Sequence, residues 1–192
     1  MTNQEKTQAD RPVPKRPRWG WMAWEATVGY IHQYHSPDAM LKLEIYPMDY
    51  IMGWAASLSW SEKQETVRDQ QSFADALNQL WKLVEQNHNL VNSLEMAVRR
   101  PVNYGDDDWL DEPTYEAFSR LVNTSDTIFQ GDWQIIILYR PIEVANKRVQ
   151  TRLIADGTVV NNSGNGPTLR DACRQLFHNA APIYQQYRKR GE

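Results

Sequence analysis

Cysteine is almost missing from this chain: among 192 residues only Cys173 carries a thiol. One thiol excludes an intramolecular disulfide framework and a cysteine-cluster zinc site. Long apolar runs are missing too, and none approaches the roughly 18 residues that would span a bilayer. The leading stretch, MTNQEKTQADRPVPKRPR, lacks the apolar segment that heads a secreted chain. These absences lead us to expect a soluble, cytoplasmic protein with no membrane association. Phenylalanine is scarce at four residues, whereas tryptophan is abundant at eight. Hydrophobic residues make up 41% and charged residues 23%, ordinary globular usage that excludes wholesale disorder. The length suits one sizeable domain or two small ones.

Net positive charge is confined to the ends. Residues 1–18 hold five cations (Lys6, Arg11, Lys15, Arg16, Arg18) against Glu5 and Asp10, and Pro12, Pro14 and Pro17 favour an extended chain there. We read this as a flexible basic arm. The tail 188–192 is basic as well. The body between, residues 19–187, has 13 cations against 21 acids. An acidic body repels phosphate backbones, so nucleic acid could be held only by the two ends.

The strongest signal is internal. Residues 72–81 (SFADALNQLW) and 168–177 (TLRDACRQLF) match at a fixed offset of 96. Each opens with a hydroxyl residue followed three positions later by Asp, a pattern that caps a helix start. Each continues in one apolar stripe: Phe73, Ala76, Leu77, Leu80, Val84 and Leu169, Ala172, Cys173, Leu176, Ala180. That spacing predicts helices with one face on a core.

Ahead of each helix the pattern predicts a hairpin. Leu41–Tyr46 is followed by a turn at Pro47-Met48-Asp49, and Ile135–Tyr139 by one at Arg140-Pro141-Ile142-Glu143. The second strands alternate, with Met52, Trp54, Ala56, Leu58 and Trp60 on one face, and Val149, Thr151, Leu153 and Ala155 in the other copy. The expected fold is therefore α+β, a tandem duplication of a ββα unit with pseudo-twofold symmetry, its copies at about 40–90 and 132–180. The two hairpins could extend one sheet or stack face to face. A short helix over 113–122, with Tyr115, Phe118, Leu121 and Val122 inward, separates them. Before the first copy, Trp21, Trp24, Val28 and Ile31 suit a helix, but Thr27–Tyr34 also suits a strand. The unit of a hairpin followed by [S/T]-x-x-D-A and an amphipathic helix resembles the small antitoxins of the HicB type, over about a quarter of the chain per copy. The resemblance implies a fold for the unit and no function.

Residues that could carry chemistry are few. His32, His35 and Asp38 are spaced as H-x-x-H-x-x-D, which would put two imidazoles on one helix face, but Pro37 breaks the helix and no third ligand is fixed. Asp106, Asp107, Asp108, Asp111 and Glu112 could gather a hard cation, yet the pattern of a calcium loop is absent and a solvated acidic loop is expected. The glycine-containing run 161–168 (NNSGNGPT) before the second repeat helix reads as turn chemistry, since a phosphate cradle would want a lysine and the first copy has no glycine over 61–71. Cys173 lies on an apolar face and reads as a small hydrophobe. We assign no catalytic residue, metal or cofactor.

Three tryptophans, Trp54, Trp60 and Trp81, belong to expected inward faces. Trp19, Trp21, Trp24 and Trp109 lie outside the repeats and are candidates for an interface, because aromatic anchors beside arginine are favoured where proteins meet. They must cover the body, a second copy or a partner. The expected function is a non-enzymatic interaction module that binds a protein partner or itself. The alternatives are a nucleic-acid-associated protein using the basic arm and its tryptophans, and a small-molecule binder or enzyme in a cleft between the repeats.

Overall fold

A computed structural model describes residues 17–49, 51–88, 90, 100–101, 104, 106–141, 144–155 and 158–191. The arm up to Arg16, residues Ile142 and Glu143 of the second expected turn, and Glu192 lie outside the described residues. The fold is mixed α+β: among the described residues, four helices and a six-stranded antiparallel sheet. Helix α1 (Gly20–Tyr34) precedes strands β1 (Met40–Met48), β2 (Ile51–Trp60) and β3 (Lys63–Gln70) and helix α2 (Phe73–His88). Helix α3 (Glu112–Phe129) then precedes β4 (Trp133–Tyr139), β5 (Val149–Ala155), β6 (Thr158–Gly166) and helix α4 (Leu169–Gly191). The strand order is β3-β2-β1-β4-β5-β6, one continuous sheet.

The seam between its halves is the pairing of Leu41–Ile45 with Ile135–Tyr139. Alternation decides which face of the sheet is covered. Leu41, Leu43 and Ile45 of β1 and Ile135, Ile137 and Tyr139 of β4 are buried, as are Trp54, Ala56, Leu58 and Trp60 of β2 and Val149, Thr151, Leu153 and Ala155 of β5. The intervening Lys42, Glu44, Gln134, Gln150 and Arg152 are only half-buried or exposed. Period-two burial of this kind gives one sheet face to the core; the opposite face is more open, although Ala55 and Leu138 on it are also buried and Ile136 and Ile154 half-buried.

The capping expectation describes both repeat helices. Ser72 Oγ accepts the Asp75 amide at 3.0 Å and Thr168 Oγ1 accepts the Asp171 amide at 3.2 Å. Each hydroxyl in turn donates to the Asp carboxylate, at 2.9 and 2.7 Å. The stripe of each helix is buried, apart from half-buried Phe73 at the start of α2.

Several expectations need correction. Three strands, not two, precede each repeat helix. The strand β3, KQETVRDQ, is an edge whose residues are mostly exposed, and its lone apolar residue, Val67, leaves no periodic signal. The run Asn161–Gly166 is strand, not turn. Its glycines serve close approach: a Cβ on Gly164 would come within 2.0 Å of the Ala172 carbonyl oxygen, and one on Gly166 within 2.8 Å of the Ala172 amide nitrogen. Helix α4 therefore lies backbone to backbone on β6, and Thr151 Oγ1 adds a hydrogen bond to the Ala172 carbonyl at 2.9 Å. Pro47 lies inside β1, opposite Met52. It sits beyond Ile45, the last residue paired to β4, where one side of the strand has no partner and a missing N–H costs little. The turn comes at Asp49, whose φ of 50° is left-handed. The segment 21–35 is helix up to Tyr34. The intervening helix is longer than expected, running from Glu112 to Phe129 with Pro113 in its first turn, and Tyr115 points outward at 61% exposure.

Two substitutions check this packing. Ser72→Ala and Thr168→Ala should each lower unfolding stability by about 0.5–2 kcal/mol in urea melts, the usual loss for a capping hydroxyl. Gly164→Ala should cost more than either, about 3 kcal/mol or an insoluble product, because the added methyl meets helix backbone that cannot rotate away.

An aromatic cleft at the start of α1

A glycine allows the candidate site to form. Gly20 opens α1, and a Cβ there would fall 2.4 Å from the Trp109 ring. With hydrogen in place of that methyl, Trp109 lies flat against the helix start. Its carbonyl accepts the Trp21 amide at 3.0 Å, satisfying one of the amides that a helix leaves open at its N-terminus. The connection between the two halves is thereby tied to the first turn of the first helix. Phe73, the first residue of α2, is the hub beneath. Its ring centroid lies 5.6 Å from Trp54, 5.8 Å from Trp109 and 6.2 Å from Phe118, all near edge-to-face, an arrangement that aromatic quadrupoles favour.

Above this cluster is an open cleft of about 510 Å³. Its walls are Trp19, Trp54, Phe73, Trp109, Leu110, Tyr115 and Phe118, and Asp107 and Glu112 stand at its rim. Among the described residues no lysine or arginine lines it, although the Arg18 guanidinium stacks on the ring of Trp19, one of its walls. Trp54, Trp109 and Phe118 are buried, so the floor is rigid, whereas Tyr115, Asp107 and Glu112 are exposed and free to meet a ligand. The Trp109 indole N–H is buried with no hydrogen-bond partner among the described residues. Trp19, half-buried, forms a partition: on its other side Trp19, Trp109 and Leu110 also line a smaller recess of about 230 Å³ that includes Glu25, Asp111 and Thr168.

Of the two carboxyls in that recess, Glu25 is the more deeply placed. Burial pushes its carboxyl above the ordinary glutamate range, opposed by the Trp21 indole N–H, which donates to Oε1 at 2.7 Å, and by the positive charge of Arg148. Tyr139, beneath it, is pushed up to about 12 by burial and then by the Glu25 charge.

The interface tryptophans of the sequence separate into two groups. Trp21 and Trp24 are buried in the chain's own core, Trp24 fully and stacked edge-on against Trp81 at 5.8 Å. Trp109 is buried with one side on the cleft, and Trp19 is the member that reaches the surface. His32, His35 and Asp38 do not converge on one point. His35 follows the last residue of α1 with its ring 5.7 Å from that of Tyr30, while Asp38 accepts the Ser36 hydroxyl and the Ser61 amide, which lower its pKa. Among the described residues no three His, Cys, Asp or Glu side chains gather as a metal site. Asp106–Asp108 is one 3-10 turn, from which Asp107 reaches the cleft. Burial pushes Cys173 up to about 12, so its thiol stays protonated at neutral pH. No described helix is long and apolar enough to cross a membrane.

Trp54, Phe73, Tyr115, Asp107 and Glu112 escaped the sequence reading as members of one site. The first two read as core, Tyr115 as inward and the acids as a solvated loop. The available signal was an acidic run flanking Trp109, a tryptophan that neither repeat needs. Comparison with family models and with curated proteins finds no match for this chain.

The position of Glu25 gives a signed pH dependence. Its folded pKa lies above the unfolded value, so the stability it contributes is present at low pH and lost as pH rises through the folded value. Glu25→Gln retains an acceptor for Trp21 without a charge to bury. It should gain stability relative to the wild type between about pH 4 and about pH 8. Urea midpoints whose difference stays constant across that range would contradict this assignment.

Proposed function

We propose that the protein is a non-enzymatic interaction module whose aromatic cleft seats an extended, cationic segment of a protein partner. The observation that carries this reading is the chemistry of the walls: aromatic rings on the floor and two carboxylates at the rim, with no lysine or arginine among the described lining residues. An ammonium or guanidinium over such rings gains roughly 0.5–2 kcal/mol from the ring quadrupole, and Asp107 and Glu112 add charge complementarity. Extended proline-rich chains suit aromatic grooves because little conformational freedom remains to be lost on binding. Nucleic acid is disfavoured by the same rim and by the acidic body.

The architecture supports a finer reading, that the chain arose by tandem duplication. Residues 20–88 and 112–191 each run helix, three strands, helix, the caps recur at an offset of 96, and the strand order is symmetric about the β1–β4 seam. The duplicated unit is then αβββα rather than ββα. The cleft lies beside the segment that links the units, which suits a function acquired after duplication.

The test is a titration of a synthetic peptide alternating proline and arginine, raised to concentrations on the order of millimolar, with the indole N–H resonances of Trp19 and Trp109 as readout. We expect saturable shifts that vanish in Asp107→Lys/Glu112→Lys and in a peptide with glutamate for arginine. Equal shifts with the acidic peptide would sink the reading.

A further inference from the structure

We infer that the cleft is occupied, in the free chain, by this chain's own basic arm, residues Arg11–Arg16, so that a partner must displace a built-in competitor. The inference rests on the cleft being a site for cationic segments and names its resident occupant. Three observations converge.

The first is where the described chain begins. Pro17 is held to the body: its carbonyl accepts the Tyr104 hydroxyl at 2.7 Å, and the Tyr104 ring lies 5.6 Å from that of Trp109, the wall of the cleft. A tyrosine hydroxyl on a proline carbonyl beside a tryptophan is itself a contact suited to an extended proline chain. One residue on, the Arg18 guanidinium carbon lies 4.8 Å over the Trp19 ring. Pro17 thus lies two residues before Trp19, a wall of the cleft, and Arg18 already makes on that ring the kind of contact a cationic segment would make.

The second is sequence. The segment Arg11-Pro12-Val13-Pro14-Lys15-Arg16 has three cations and no acid. Pro14 and Pro17 are three residues apart, one turn of a polyproline II helix. The third is length. Six residues in that conformation would extend about 19 Å, at roughly 3.1 Å each, so the segment can reach well beyond its point of attachment at Pro17. A segment tethered this closely has an effective concentration on the order of millimolar, so even a weak intrinsic affinity fills the site.

The test uses the full chain. Val13→Cys introduces a thiol that can be labelled selectively, since Cys173 is buried and protonated, with a bimane fluorophore that tryptophan quenches on contact. If the arm is seated, bimane emission in otherwise native protein is about two-fold or more below that in the Asp107→Lys/Glu112→Lys background, independent of dilution. In parallel, a peptide of residues 5–16 is titrated into the unlabelled chain and into Arg11→Gln/Lys15→Gln/Arg16→Gln. The neutralised arm should let the peptide bind about ten-fold more tightly, the factor set by removing a tethered competitor. Equal binding to both proteins, with unquenched bimane, overturns the resident arm and leaves the cleft a site for cationic segments. Absence of peptide binding to either, with unquenched bimane, overturns both. Quenching that disappears on dilution assigns the site to a second copy's arm and overturns occupancy within one chain.

Discussion

Everything in this molecule hangs on the antiparallel pairing of β1 with β4. Without it there are two three-stranded sheets, each with the apolar row of its inner strand left at an open edge. With it, Leu41, Leu43 and Ile45 stand opposite Tyr139, Ile137 and Ile135, and the six side chains form the middle of a single buried face. The contact is non-local, closing a chain segment of roughly ninety residues, and its loop entropy must be recovered from that burial. The helices then have one floor to share: α1 reaches β4 through Trp21 on Tyr139 at 6.2 Å and α2 through Trp24 on Trp81.

Tryptophan explains how α1 joins this core. Large indoles bridge gaps that aliphatic side chains would leave empty, and Trp21, Trp24 and Trp109 are all inside. Three of the buried indoles, Trp24, Trp81 and Trp109, keep an N–H without a hydrogen-bond partner among the described residues. For Trp24 and Trp81 the edge-to-face stack compensates in part. At Trp109 the N–H is enclosed in the same way, while the residue forms part of the cleft wall.

The parts of the fold legible in the sequence are those governed by local chemistry. Helices α2 and α4 announce themselves through Ser72 and Thr168 and a stripe of period 3.6, and β2 and β5 through strict alternation. The edge strands did not, because an edge faces water on more than one side and needs no apolar periodicity. In β6 the glycines that look like a turn are demanded by a helix 8 residues further along, at Ala172, a relation that appears only once the chain has folded back. Helix α1 was ambiguous because Thr27–Tyr34 satisfies both periods locally and only Trp24 meeting Trp81 decides. The cleft was illegible for a similar reason: Trp19, Trp54, Phe73, Trp109 and Tyr115 come from four separate stretches, and each has an adequate structural explanation on its own.

The edges of the sheet have a consequence for the colloidal behaviour of the protein. A bare β-edge is a template on which other chains can polymerise. At one end of this sheet, β3 presents Lys63, Glu65, Arg68 and Asp69 in eight residues, with a left-handed backbone at Asp69 that departs from regular strand geometry. Charges of both signs on a twisted edge repel an incoming neutral strand and deny it a flat register. Such an edge resists the addition of a further strand through its own charges and backbone geometry, with no need of a covering element.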